Sequence, residues 1–478
     1  MRRLHGEDVW LAAAAAAVLL TGCGGDGGLL GQTGSVGSPT NRAVRYPSSS
    51  GLIQHVVIII QENRSFNNLF MNYPGAATST YGYNTKHQQI ALQPVTLATT
   101  WTLEHNAQGF IRSCNGTGSI PGTDCRMNGF DRERWSCGRP SKPECPNANP
   151  PYSYVPQQEV QPFWDMASQY VLADEMFASD FDTSSFTSHQ YAIAAANPNS
   201  EVDYPDTLWG CPGGPSDKVP ILGPDRNYAD GTEVPCWDPT TLGDELDAAG
   251  LSWAFYAAPV KGGGSFSCGL SGVRYAGERP IGLWSAYQTI NHICYGPDWN
   301  ADVFSPPSQF LRDVANGKLR NVTWITPTWA NSDHGGSGSK TGPSWVTSLV
   351  NAIGESQFWD STVIFIMWDE SGGWFDPATP GYLDNDGLGF RVPLLIISAY
   401  AKQNYVSHVN YEHGSILKFT EDQFALGRLA ASDTRANSPA GDCFDFSQQP
   451  RPFVPFTSQY DRAYFLRQPP DMRPPDTE

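Results

Sequence analysis

The sequence predicts an α/β fold, a three-layer sandwich around a mostly parallel central sheet with disulfide-stapled loop insertions. Three observations predict it. HVVIIIQENRSF (His55–Phe66) and STVIFIMWDESGGWFD (Ser361–Asp376) each hold an unbroken apolar run of strand length, the pattern of a strand covered on both faces. Strand-like runs alternate with helical periodicity along the chain, as layered α/β proteins require. The 478 residues, with 40% hydrophobic content and 15 tryptophans, can fill a large core, while 47 glycines and 38 prolines demand many ordered loops and exclude a helical bundle. A formal net charge of −18 argues against a general basic surface for nucleic acid.

The elements follow in chain order. Arg2, Arg3 and His5 precede WLAAAAAAVLL, which is too short for a mature membrane span and has the form of a signal-peptide core. Leu20-Thr21-Gly22-Cys23 resembles a lipobox, so residues 1–22 are expected to be a lipoprotein signal peptide and Cys23 the lipidated first residue of an exported, membrane-anchored or secreted protein. Residues 23–45 are Gly/Ser-rich and read as a flexible tether. The main domain is expected over 46–447. Its strands are expected at His55–Ile60, Trp253–Tyr256, Val322–Ile325, Val363–Trp368 and Val392–Ser398, and its helices at Gln161–Tyr170, His189–Ala196, Pro307–Asn316, Ser344–Ile353 and Ser415–Leu426. Two stretches, about 100–160 and 200–300, are rich in Cys, Gly, Pro and Trp and read as insertions over the sheet edge. Nearest-neighbour pairing of their cysteines gives Cys114–Cys125, Cys137–Cys145, Cys211–Cys236 and Cys268–Cys294. Cys443 is left over as a buried thiol. The Pro-rich segment 448–478 is expected to wrap the domain before fraying.

Chemistry is expected where the apolar runs end. Glu62 and Asn63 end the first, and Asp369 and Glu370 end the second. In parallel sheets, C-terminal strand ends line the ligand crevice. Three carboxylates and an amide oxygen gathered there repel one another unless a cation holds them, which predicts one divalent metal ion. Oxygen ligation permits calcium, magnesium, manganese, iron or zinc. A nucleophile can come from SDFDTSSFTSHQYAIAAAN (Ser179–Asn197), whose Ser/Thr cluster, Thr183 to Ser188, leads into a helical pattern. A hydroxyl there meets unpaired N–H groups at the positive end of a helix, a place suited to phosphate. The same residues also serve as ordinary N-caps.

Several blocks, taken in order, resemble the bacterial phosphoesterase family of phosphatidylcholine-type phospholipases C and acid phosphatases, within the alkaline-phosphatase-like superfamily. They are QENRSFNNLF, DEMFASDFDTSSFTSHQYAIAAA, NHICYGPDWNADVFSPPSQFLRDVANGKLRNVTWITP, SDHGG, WDESGGWFDPATP, LGFRVPLLIISAYAK and YEHGSILKFTEDQFALGRL. The resemblance implies an alkaline-phosphatase-like sandwich and a phosphoric ester hydrolase. It selects Ser185, four residues before His189, as nucleophile and implies a phosphoseryl intermediate. Glu62, Asn63, Ser185, Asp369 and Glu370 are implied as metal ligands. His105, His292 and His334 are implied as groups that contact phosphate or protonate the leaving alkoxide, with Asp333 orienting a neighbour. One departure stands out: the family's His after the aspartate at Asp376 is missing, and Pro377-Ala378-Thr379-Pro380 follows instead.

The substrate is expected to be a phosphate ester or a phospholipid, acted on as by an acid phosphatase or a phospholipase C. SFTSHQYAIAA and YEHGSILKF look closer to the acid-phosphatase-like branch. A sulfatase on the same scaffold is disfavoured, because Cys/Ser-x-Pro-x-Arg is absent around Ser185. A non-catalytic surface-binding lipoprotein has no need of four ligands and a hydroxyl. Gly335–Gly342 (GGSGSKTG) is not a phosphate loop, since Ser339 stands where that motif needs glycine. Trp101, Trp135, Trp209, Trp237, Trp284 and Trp299 are expected to fill small cores or to line a pocket.

Overall fold

The structure, a computed structural model, describes residues 51–138, 145–181, 184–198, 210–213, 215, 218–226, 231–260, 268 and 282–474. The expected signal peptide, Cys23 and the tether lie outside the described residues, as do Thr183 and Trp209. No helix among the described residues is long and apolar enough to cross a membrane.

Both long apolar runs form strands. β1 (His55–Gln61) and β6 (Thr362–Trp368) are buried along almost their whole length. The other strands of the main sheet are β2 (Val171–Ala173), β3 (Trp253–Tyr256), β4 (Val303–Phe304), β5 (Val322–Ile325), β7 (Leu394–Ser398) and β8 (Tyr405–Ser407). They form one eight-stranded sheet in the order β4-β3-β5-β1-β6-β7-β2-β8. Only β7 runs against its neighbours, pairing antiparallel with β6 and β2. β2, β4 and β8 were not expected: at two or three residues each they are too short for a periodicity signal.

Helices cover both faces, which makes three layers. On one side α1 (Gln161–Gln169), α4 (Gln309–Ala315), α5 (Gly342–Gly354) and α8 (Arg462–Arg467) pack together. On the other, α2 (Ser185–Ala194) packs on α3 (Leu242–Ala248) and α6 (His413–Phe424), which also meets α7 (Ala431–Arg435). Strand pleating sends alternate residues of β6 to the two layers. Trp368 meets Phe163 of α1 at 4.9 Å between ring centroids, and Phe365 meets Phe419 of α6 at 5.2 Å.

The expected helices occur with shifted ends. α2 begins at Ser185, four residues before the expected start, because its first turn is mostly Ser and Thr, with Phe186 the one apolar side chain, and shows no apolar period. The Ser184 side chain accepts the Thr187 N–H. All four cysteine pairs form as expected, and Cys443 is free and buried. The C-terminal segment runs along the α5 side: Trp359 Nε1–H donates to the Arg451 carbonyl at 2.6 Å, and Asn351 Nδ2–H to that of Phe456 at 2.8 Å.

One buried carboxyl couples this packing to pH. Glu421 of α6 is fully buried, accepts from Arg428 at 2.7 Å and lies against Asp433. Burial, then the neighbouring Asp433, pushes it up to about 9. Between the ordinary Glu value and about 9 the folded chain therefore holds a proton that the unfolded chain has lost, so stability falls as pH rises through that window. Chemical unfolding between pH 5 and 9 should show this loss in the native chain, and Glu421→Gln should flatten it.

Candidate metal centre and its surroundings

Register assembles the site. β1 pairs parallel with β6 so that Gln61 lies opposite Trp368, and the next residues of the two strands, Glu62 and Asp369, leave the sheet side by side. Asn63 takes a left-handed backbone conformation (φ 51°) and donates its N–H to Asp369 Oδ1 at 2.9 Å. Gly372 is needed where the second loop folds back: a Cβ there would stand 2.3 Å from the Asn63 carbonyl. The Asn63 amide donates to Ser185 Oγ at 3.3 Å and to Glu370 Oε1. Thus Glu62, Asn63, Ser185, Asp369 and Glu370 come together from two strand ends and the first turn of α2.

Buried Asp180 holds that first turn. Its two oxygens accept from the Thr187 hydroxyl at 2.8 Å and the Ser188 hydroxyl at 3.0 Å. An anion at a helix N-terminus also suits the helix dipole.

His189 completes the cluster and was not among the expected site residues. It sits one helical turn after Ser185, so the i,i+4 spacing in SSFTSH carried the signal. Its Nε2 lies 2.9 Å from Glu62 Oε1 and 3.8 Å from Asp369 Oδ2. Donor atoms of Glu62, His189 and Asp369 all lie within 4.8 Å of one another.

The electrostatics of this cluster call for a cation. Burial, with the Glu62 carboxylate second, pushes Asp369 up to about 8. Burial also drives Glu370 well above the carboxylate range, and it lowers His189 to about 4. A hydrogen bond to the Trp284 backbone favours the charged His189 ring, as an accepting carbonyl does. Among the described residues no donor reaches Asp369 Oδ2 within hydrogen-bond distance. Carboxylates, a neutral imidazole, an amide and a hydroxyl fit one divalent ion.

Three more of the expected residues lie alongside. His334 follows β5 and is buried; its ring stacks on Trp284 (5.9 Å, 11°) and packs against Trp329 (4.7 Å, 61°) and His105 (5.4 Å, 74°). His105 Nδ1–H donates to the Leu103 carbonyl at 2.7 Å. The insertions thus deliver His105 and Trp284 to this region. Buried Asp333 has φ 72° and is pushed up to about 7 by burial, which the neighbouring Arg64 partly offsets.

His292 is not brought to the cluster. It lies half-exposed in a short helix, Asn291–Cys294, with Nδ1 2.6 Å from Asp238 and Nε2 2.8 Å from Asp244. Both nitrogens are taken by carboxylates, Asp244 in α3 and Asp238 just before it. Asp376 is buried against Arg391 at 3.0 Å and accepts the Asn67 N–H at 2.9 Å, so it ties the loop after β6 to the helix after β1.

Residues 53–427 match the phosphoesterase family. The chain belongs to this family. Membership makes it a phosphoric ester hydrolase. Phospholipase C B of Mycobacterium tuberculosis is 24% identical over 84% of this chain and 80% of its own length. Hemolytic phospholipase C of Pseudomonas aeruginosa is 23% identical over 78% of this chain and 53% of its own length. A crystal structure of an alkaline phosphatase superfamily protein from Vibrio parahaemolyticus superposes with a TM-score of 0.37 at 9% identity, covering 82% of this chain and 72% of that one. That likeness is loose, and the family assignment does not depend on it.

The buried charge gives a test of ion binding. With chelator present, Asp369→Asn should raise stability at pH 7 by roughly 1 to 4 kcal/mol, because it removes a carboxyl that burial disfavours. With a divalent ion present the native chain should gain in melting temperature and the variant should not. Calorimetry with and without chelator measures both.

Proposed function

We propose that the protein is an exported, metal-dependent hydrolase of phosphate esters that acts through Ser185, with phospholipid headgroup esters as the favoured substrates. The observation that carries this reading is the meeting of the Ser185 hydroxyl, at the start of α2, with four buried carboxylate and amide side chains and His189. The phospholipase C names of the relatives support the substrate class. Four disulfides support export, since they persist in oxidising compartments.

Glu62, Asn63, His189, Asp369 and Glu370 would hold the divalent ion, which lowers the serine pKa and screens an incoming phosphate. The imidazole among them favours zinc or iron over calcium. Ser185 sits in the first turn of α2, where backbone N–H groups point outward and attract anionic phosphate oxygens. Asp180, through Thr187 and Ser188, keeps that turn fixed while Oγ lines up with the scissile bond. Ser185, its hydroxyl proton released to water, bonds through Oγ to phosphorus as the bond to the leaving oxygen breaks, giving a phosphoseryl enzyme. His105 and His334, whose rings meet at 5.4 Å, supply from an imidazolium the proton that the leaving alkoxide needs. Water then attacks phosphorus and gives its proton back to that imidazole, while the bond from phosphorus to Oγ breaks and releases the phosphate product and Ser185.

The test is hydrolysis of p-nitrophenyl phosphate and p-nitrophenylphosphorylcholine by tetherless protein, with and without chelator. Turnover should stop with chelator. In Ser185→Ala, kcat should fall at least about a thousand-fold while the ion still raises the melting temperature. Faster turnover of the phosphorylcholine ester would assign headgroup specificity, and faster turnover of the monoester a phosphatase. A Ser185→Ala protein with native kcat would remove the serine from the mechanism.

A further inference from the structure

The turn that carries Asp333 and His334 is gripped from two sides. On the inner side the end of β1 holds it: the Glu62 N–H donates to the Ser332 carbonyl at 2.9 Å. The Gln61 amide, in the orientation that satisfies both groups, donates to the Ser332 carbonyl at 2.8 Å and the Asn331 carbonyl at 3.0 Å. On the outer side the far C-terminal segment does the same. Trp329 Nε1–H donates to the Pro474 carbonyl at 2.8 Å, and Asn331 Nδ2–H to Gln468 Oε1 at 2.9 Å. Asp471 bonds to the Ala330 backbone and pairs with Arg473 at 2.7 Å, and Arg473 sets its guanidinium 5.4 Å from the Trp329 ring centroid. Trp329 is in turn the wall against which His334 packs.

We propose that Gln468–Pro474 is a positioning strap for His334, acting through Trp329 and Asn331. Pro469, Pro470 and Pro474 fix the backbone of this segment, so little freedom is lost in holding its contacts. The strap is anchored apart from the site: in α8, Phe465 packs on Trp345 at 5.3 Å, and Arg462 pairs with Glu355 at 2.7 Å. Removing the strap therefore leaves α8 in place and frees one wall of the imidazole. A proton donor must be held within a fraction of an ångström of the leaving oxygen, and a displacement of about 1 Å can cost on the order of a hundred-fold in rate. The inference rests on the proposed role of His334 at the phosphate.

The test compares the full chain with a truncation after Arg467 and with Trp329→Phe, which keeps a ring but removes its N–H. Four quantities are read: kcat and KM, the ion-induced rise in melting temperature, hydrogen exchange of amides 329–336, and recovery of kcat on adding a peptide of residues 468–474. Both variants should lose about 5- to 50-fold in kcat with KM nearly unchanged. They should keep the ion-induced shift and exchange faster over 329–336, and the peptide should restore part of kcat to the truncated chain. A segment that only adds stability would lower the melting temperature and leave kcat per folded molecule unchanged, which overturns the proposal. Unchanged exchange over 329–336 also overturns it. If the intact protein turns over neither ester, the proposed function fails, and exchange over 329–336 alone decides whether the strap holds the turn.

Discussion

Three carboxyl groups and a neutral histidine share one dry space, and the rest of the structure is arranged around that. The register of β1 against β6 forces it: with Gln61 opposite Trp368, Glu62 and Asp369 must emerge together, and Glu370 follows. Arg64 does not relieve them. Arg64 is fully buried but sends its guanidinium to the Asp333 and Leu97 carbonyls, at 2.7 and 3.1 Å, and across the Trp374 ring. Buried charges without compensation either take up protons or bind a cation. The chain's raised carboxyls and lowered imidazole describe the first state, and its donor set suits the second.

The fold supports this cluster with rigid pieces. α2 is buried along its whole length and held at its first turn by Asp180, so Ser185 has a fixed place relative to the strand ends. The Arg391–Asp376 pair, out of water, secures the loop after β6 where it crosses the helix after β1. The disulfide-bound insertions do not stand apart from the chemistry. One supplies His105, and the other supplies Trp284, which meets both His189 and His334. Such groups come from loops because strands and helices of the sandwich are committed to the core.

What could be read in the sequence depended on how local its signal was. β3 and β5 fall where their apolar runs predict, and β1 and β6 differ by one residue, because a strand buried on both faces excludes polar residues until it ends. The four disulfides follow chain proximity, since each closes a short loop. β2, β4 and β8 are too short to show a period, and they exist only because neighbours offer backbone partners. α2 began earlier than apolar periodicity indicated because Ser184 and Thr187 cap it with hydroxyls.

The sequence by itself determined the α/β layering, the family, and the four polar residues that end the two long strands, all properties of residue type and order along short segments. The tertiary structure alone decided which distant groups meet. It put His189 against Glu62 across 127 positions. It gave His292 to two surface aspartates instead of the cluster. It also laid the C-terminal segment against the turn before His334. A histidine reads the same in sequence whether it faces a carboxylate, a ring or water. Its chemistry is set by neighbours that strand register and helix packing supply from far along the chain.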